Sequence, residues 1–166
     1  MNLRKMVPLA VLVAAALPAT AGAATGSVNA TSKTASFSGT ITDPTQLYDL
    51  IGFFNESTEV GPLATCMAPY CEEHTLTVGP DGAELLLEAT SDAYNLDLEI
   101  IDPSGSYTEV NEEGVPEHTL TLDPVPGDWT IRVYGAPEVD SFDYTAKVTF
   151  RTPEDVENDP SVEDGE

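Results

Sequence analysis

Four sets of residues in this 166-residue chain have types and spacings that could do chemistry. The first is the cysteine pair, Cys66 and Cys71, with Met67-Ala68-Pro69-Tyr70 between them. The gap is wider than a C-x-x-C redox motif, and adding His74 leaves a tetrahedral zinc site one ligand short. In an oxidising compartment the pair reads as a structural disulfide that pins the 44–72 segment to the strand following it. The second set is His74 and His118, each preceded by a glutamate. Either could act as a general base. Neither G-x-S-x-G nor H-E-x-x-H accompanies them, so both read as solvated polar side chains at strand starts and no catalytic residue is assigned. The third set comprises two oxygen-rich turns, with Asp92, Asn95 and Asp97 in one and Asp140 and Asp143 in the other. Carboxylates and amides are the hard ligands calcium takes. Calcium is therefore the ion these turns suit, although neither has EF-hand spacing and no cofactor is required. The fourth set is Tyr48, Phe53, Phe54 and Tyr70, aromatics within the irregular 44–72 stretch, where loop residues are free to make binding contacts.

These residues sit in a strongly acidic chain. Acidic residues outnumber basic ones 29 to 6, for a net charge of −23. That composition excludes nucleic-acid binding through a basic face, because phosphate affinity rests on Lys and Arg. It also argues against adhesion to anionic membranes. Residues 1–23 read as a signal peptide: Arg4 and Lys5 precede an apolar stretch from Met6 to Leu17, Pro18 breaks it, and Ala21-Gly22-Ala23 forms a small-x-small cleavage site. The apolar stretch is shorter than the ~20 residues of a membrane span. The expected product is a secreted protein that starts near Ala24. Residues 24–35 are small and polar and read as a flexible lead-in. Residues 153–166 carry seven acidic residues and no basic one, and read as a disordered acidic tail.

Between these ends, 36–152 reads as strands. Leu96, Leu98 and Ile100 alternate with Asn95, Asp97 and Glu99. Trp129, Ile131 and Val133 share one face of 128–134, which makes Trp129 a core residue. Phe142, Tyr144, Ala146, Val148 and Phe150 share one face of 142–150. Period-two alternation punctuated by Gly/Pro turns at 79–82, 102–105 and 124–128 predicts an all-β, antiparallel, jelly-roll-like sandwich. Only Thr45–Phe54 leaves room for a helical turn. The hexapeptide Glu73–Val78 recurs as Glu117–Leu122 with five of six positions identical. Duplication of a strand-turn-strand unit and recurrent Thr/Leu hairpin chemistry both account for it. Either predicts two similar hairpins, one per sheet.

The order of these segments resembles a known family. A strand ending in TLTV, a glycine turn and an L-x-L strand lead to YNLDLEIIDPSG. Then come EHTLTL, P-x-P-G-D-W-T-I-R-V and F-D-Y-T-A-K-V. The chain is in this respect similar to the bacterial pre-peptidase C-terminal domain over Phe37–Phe150. Its longer, cysteine-bearing 44–72 segment departs from that pattern. The resemblance implies a small jelly-roll sandwich attached to or accompanying exported enzymes. It further implies loops that hold calcium in some members, and affinity for extracellular polymers such as polysaccharide or collagen. The resulting expectation is a secreted, non-enzymatic binding or accessory module whose partner is an extracellular polymer or a secreted protein. Two other readings stand beside it: an enzyme or inhibitor acting through the 44–72 loop, and an acidic surface or structural protein whose charge is itself the feature.

Overall fold

A computed structural model describes residues 24–42, 66, 68–92, 96–112, 114–135 and 141–159. Tyr48, Phe53, Phe54, Asn95 and Asp140 lie outside the described residues, as does the candidate helical turn at 45–54. The described strands are β1 (Thr25–Val28), β2 (Thr34–Ile41), β3 (Glu72–Val78), β4 (Glu84–Ser91), β5 (Asp97–Ile101), β6 (Tyr107–Val110), β7 (Glu117–Leu122), β8 (Gly127–Tyr134) and β9 (Phe142–Arg151). One short helix, α1 (Pro153–Glu157), follows. The strands form a five-stranded sheet in the order β1-β3-β8-β5-β6 and a four-stranded sheet in the order β2-β9-β4-β7. Every ladder is antiparallel except β1 with β3. The expected all-β sandwich is what the chain forms.

Alternation explains the layering. Phe142, Tyr144, Ala146, Val148 and Phe150 of β9 are buried, while Asp143, Thr145 and Lys147 between them are exposed. Opposite them, Leu76 and Val78 of β3, Leu98 and Ile100 of β5, and Trp129, Ile131 and Val133 of β8 close the interior. Trp129 is 5% exposed, and its indole N–H donates to the Val125 carbonyl at 2.7 Å. The ring thus fills the core while its one polar atom is satisfied at the turn before β8. That turn needs glycine. Gly127 has φ +131°, and a Cβ there would press on Pro103 Cγ at 2.9 Å.

Three expectations change. Residues 24–35 are not a flexible lead-in. Thr25–Val28 pairs in parallel with Thr75–Val78 and buries Val28, while β2 begins at Thr34. Small polar residues read as linker in sequence, but along a sheet edge their backbone groups complete a ladder. The acidic tail is ordered at its start. Thr152 and Asp155 form a capping box around α1, and Lys33 Nζ lies 2.6 Å from Asp155 Oδ1. Residues 160–166 lie outside the described residues. Finally, the two repeats are not hairpins. Each crosses between sheets: β3 in the five-stranded sheet turns into β4 in the four-stranded one, and β7 in the four-stranded sheet turns into β8 in the five-stranded one. With β3 on β8 and β4 on β7, exchanging the two arches maps one ladder onto the other.

Trp129→Ala is expected to destabilise the domain by ~3–5 kcal/mol, the range for removing a large core aromatic. Thermal melts of the two proteins test this, and a change within ~0.5 kcal/mol would instead mark an exposed side chain.

Candidate functional site

The interior alternation of β3 extends past its apolar residues. Counting back from Val78 and Leu76 by twos reaches His74 and Glu72, which therefore point between the sheets. His74 is 0% exposed and Glu72 3%. From the opposite sheet, Tyr144 of β9 meets both. Its hydroxyl lies 2.5 Å from Glu72 Oε2 and 2.5 Å from His74 Nε2. The single hydroxyl proton donates to the carboxylate, so the hydroxyl oxygen accepts from His74 Nε2–H. That assigns the tautomer: His74 Nδ1 carries the lone pair, and the Ala24 backbone N–H donates to it at 3.3 Å. The Phe37 ring of β2 stacks on the imidazole with centroids 4.8 Å apart. A directed chain thus runs from Ala24, the residue before β1, through His74 and Tyr144 to Glu72 and joins β3 to β9 across the two sheets. Gly39 of β2 leaves the space for it, since a Cβ there would overlap the Glu72 carboxylate.

Burial pushes the His74 pKa down, with the Ala24 hydrogen bond opposing more weakly, so the ring is held neutral. Burial and the neighbouring Glu72 carboxylate push the Tyr144 hydroxyl well above its ordinary value, so it stays a donor. Glu72 Oε1 has no hydrogen-bond partner among the described residues. These are acid–base groups in mutual reach, but the sandwich seals them. General acid–base catalysis requires contact with the proton being moved, and the side chains of Glu72, His74 and Tyr144 are all buried. The expectation of solvated histidines is therefore corrected for both. His118, 7% exposed, faces inward from β7 and binds the Leu96 carbonyl oxygen through Nε2 at 2.7 Å. Glu72 and Tyr144 had no assigned role in the sequence, although strand parity alone places Glu72 and His74 on the buried face.

A second polar array lies on the outer face of the five-stranded sheet. Glu73, Arg132, Glu99 and Glu109 are successive cross-strand partners on β3, β8, β5 and β6. Arg132 donates to Glu73 and to Glu99, each at 2.8 Å. Tyr107 and Tyr134 donate to the two oxygens of Glu109 at 2.7 and 3.2 Å. Burial and the two glutamates push the Tyr107 hydroxyl well above its ordinary value. Asp97 and Glu99, on the polar side of the β5 alternation, are themselves buried. Along the same face Thr77 donates to Asp128 at 2.7 Å.

The disulfide expected from the spacing is formed between Cys66 and Cys71. Cys71 packs with Tyr134, and Cys66 and Tyr70 pack against them. Tyr70, the described member of the four aromatics, therefore stands at the edge of the outer polar face. Of the oxygen-rich turns, Asp92 and Asp143 come together: Asp143 N–H donates to Asp92 Oδ1 at 2.8 Å, and Thr40 donates to Asp143 Oδ1 at 2.6 Å. Asp97 belongs to the other sheet, opposite Tyr134. Among the described residues no three His, Cys, Asp or Glu side chains form a group that could hold a metal ion. No described helix is long and apolar enough to cross a membrane.

No protein-family model matches the sequence, and no curated protein matches it. Among solved structures, the chain is similar to PliG of Aeromonas hydrophila, a periplasmic lysozyme inhibitor of g-type lysozyme. That match has 14% identity and a TM-score of 0.43, covering 78% of this chain and 98% of that one. PliG of Salmonella Typhimurium matches at 12% identity and 0.41, covering 78% and 99%. The pre-peptidase C-terminal domain of a Bacillus anthracis collagenase matches at 10% identity and 0.40, covering 75% and 95%. A pre-peptidase C-terminal domain is thus among the structures the chain resembles, as its motifs led us to expect. What each of those proteins acts on is a property of that protein.

The neutral His74 has a pH consequence. Its folded pKa lies below the unfolded value of ~6.5, so at lower pH the unfolded chain takes up a proton that the folded chain refuses. This stability is complete above ~6.5 and is lost as pH falls towards the folded pKa, at up to ~1.4 kcal/mol per pH unit. His74→Gln keeps a donor for Tyr144 and an acceptor for Ala24. Denaturant midpoints between pH 5 and 7 should fall for the parent and flatten for this variant, and parallel curves would remove His74 as the cause.

Proposed function

We propose that this chain is an exported, non-enzymatic binding module that docks a cationic segment of a secreted protein on the outer face of its five-stranded sheet. The observation that carries the reading is the row Glu73–Arg132–Glu99–Glu109, in which three carboxylates and one guanidinium lie across four strands, with Arg132 bonded to Glu73 and Glu99 and two tyrosines bonded to Glu109. Arg132 pairs with both the buried Glu99 and the half-exposed Glu73, and the exposed Asp128 lies further along the same face, so Glu73 and Asp128 are the carboxylates a partner can reach. Backbone ladders hold the row rigid, so docking costs little ordering entropy. The disulfide keeps Tyr70 beside it, which supplies an aromatic of the kind that anchors protein interfaces. Extracellular polymers remain the other class of ligand this reading admits. Calcium is a separate proposal for the turn holding Asp92 and Asp143. A calcium-dependent rise in Tm that is lost in Asp92→Asn supports it, and an unchanged Tm removes it.

The probe is a lysine-rich peptide titrated calorimetrically into the mature chain at several salt concentrations. Because the whole molecule is acidic, two charge-matched variants are compared. Glu73→Gln/Glu109→Gln/Asp128→Asn alters the proposed face, and Glu84→Gln/Glu88→Gln/Glu117→Gln alters the four-stranded sheet. Binding should weaken about tenfold or more in the first and stay near the parent in the second, since a rim charge contributes on the order of 1 kcal/mol. Equal weakening in both would favour the acidic surface-protein reading. Salt-independent retention on chitin or collagen, without peptide binding, would favour the polymer.

A further inference from the structure

We propose that the α-amino group created by leader removal after Ala23 docks on His74 and completes a charge chain ending on the buried carboxylate of Glu72. The inference rests on the signal-peptide reading and goes beyond it by giving the new terminus a task inside the fold. The small-x-small site Ala21-Gly22-Ala23 places the cut immediately before Ala24. A leader peptidase would hydrolyse the Ala23–Ala24 bond with one water, whose hydroxyl goes to the Ala23 carbonyl carbon and whose proton goes to the Ala24 nitrogen. That nitrogen is the atom 3.3 Å from His74 Nδ1.

The position is anchored within one residue of the cut. The Ala24 carbonyl accepts from Thr75 N–H at 3.1 Å, and β1 then runs in register with β3 to Val28, whose carbonyl accepts from Gly79 at 2.8 Å. A side chain at Gly26 would press on the Phe37 ring, which itself stacks on His74. The terminus therefore cannot shift along the sheet without breaking the ladder.

Charge supplies the second argument. Without Arg4 and Lys5, the chain has four basic side chains: Lys33, Arg132, Lys147 and Arg151. Each is paired with a carboxylate other than Glu72. Glu72 is 3% exposed, and its Oε1 has no partner among the described residues. A buried carboxylate without a counter-charge is costly. The one further cation available to the mature chain is its α-ammonium group, charged at neutral pH with an ordinary pKa of ~7.7–8.0. It has three donors where the precursor amide has one. His74 and Tyr144 connect it to Glu72 through hydrogen bonds that all point the same way. Among the described residues, the titratable groups linked to it are Glu72 and His74 from β3 and Tyr144 from β9, while the ring stacked on His74 is the apolar Phe37 of β2. Export thus finishes a fold that the precursor leaves one charge short.

The test compares three forms of the chain ending at Glu166: one beginning at Ala24, one beginning at Gly22, and an Nα-acetylated form beginning at Ala24. The free Ala24 form should have the highest Tm, and its advantage should disappear when all three carry Glu72→Gln. Equal Tm values for the three forms, or an advantage that survives Glu72→Gln, would overturn the proposal. If Glu72→Gln does not fold, NMR titration of the Ala24 α-amine in the unmodified mature chain decides alone. A pKa raised by about one unit, a tenfold preference for the ammonium form, supports docking, and an ordinary value sinks it. N-terminal sequencing of the exported protein tests the cut separately, so a different terminus is distinguishable from failure to dock.

Discussion

The hydrogen bonds that tie Tyr144 to Glu72 and His74 cross the interior of the sandwich, and they constrain everything around them. Two sheets packed only through apolar side chains can slide, because dispersion and hydrophobic contact have no direction. A carboxylate, a phenol and an imidazole placed between them have one satisfactory arrangement, and missing it would leave buried polar atoms unpaired. The surrounding sequence conforms to that requirement. Gly39 keeps space beside Glu72, Phe37 supports the imidazole, and β1 brings a backbone donor to its far nitrogen. The parallel β1–β3 ladder, an unusual pairing in an otherwise antiparallel fold, is what delivers that donor.

Charge is the second constraint. In so acidic a chain self-repulsion opposes compaction, and the basic side chains among the described residues are used as clasps between separate segments. Lys33 holds Asp155 and Lys147 holds Glu88. Arg151 bridges Glu84 and Asp159, and Arg132 bridges Glu73 and Glu99. The exposed pairs, Lys33–Asp155 and Lys147–Glu88, are each worth only ~0–1 kcal/mol. Their placement matters more than their strength. Those at Asp155 and Asp159 bring the first turn of the acidic C-terminal segment back onto the sandwich. There the Lys33 ammonium holds the Asp155 carboxyl well below the usual carboxylate range.

The repeated hexapeptide shows how local identity meets different surroundings. His74 and His118 occupy equivalent places in two arches that exchange sheets, and both turn inward. One meets Tyr144 and the other the Leu96 carbonyl. Equal parity gives both the same burial. Different neighbours make one a link in a polar chain and the other a local tie between β7 and the start of β5.

From the residues alone, the fold class, the core faces of β8 and β9, the turns between strands and the disulfide were legible. All depend on neighbours in sequence: period-two alternation, Gly/Pro punctuation and two cysteines close enough to pair. Trp129 belonged to the core on the same grounds. What the sequence could not determine was which strands would meet. Thr25–Val28 has the composition of a linker and becomes a strand because β3 offers it a free edge. The start of the acidic tail becomes a helix because Lys33 and Arg151 are brought to it. Parity alone puts Glu72 and His74 on an inner face. Their joining to Tyr144, some 70 residues away, is a property of two sheets packed face to face. Local periodicity specifies which way each side chain points, and only the packing of the sheets specifies what it finds there.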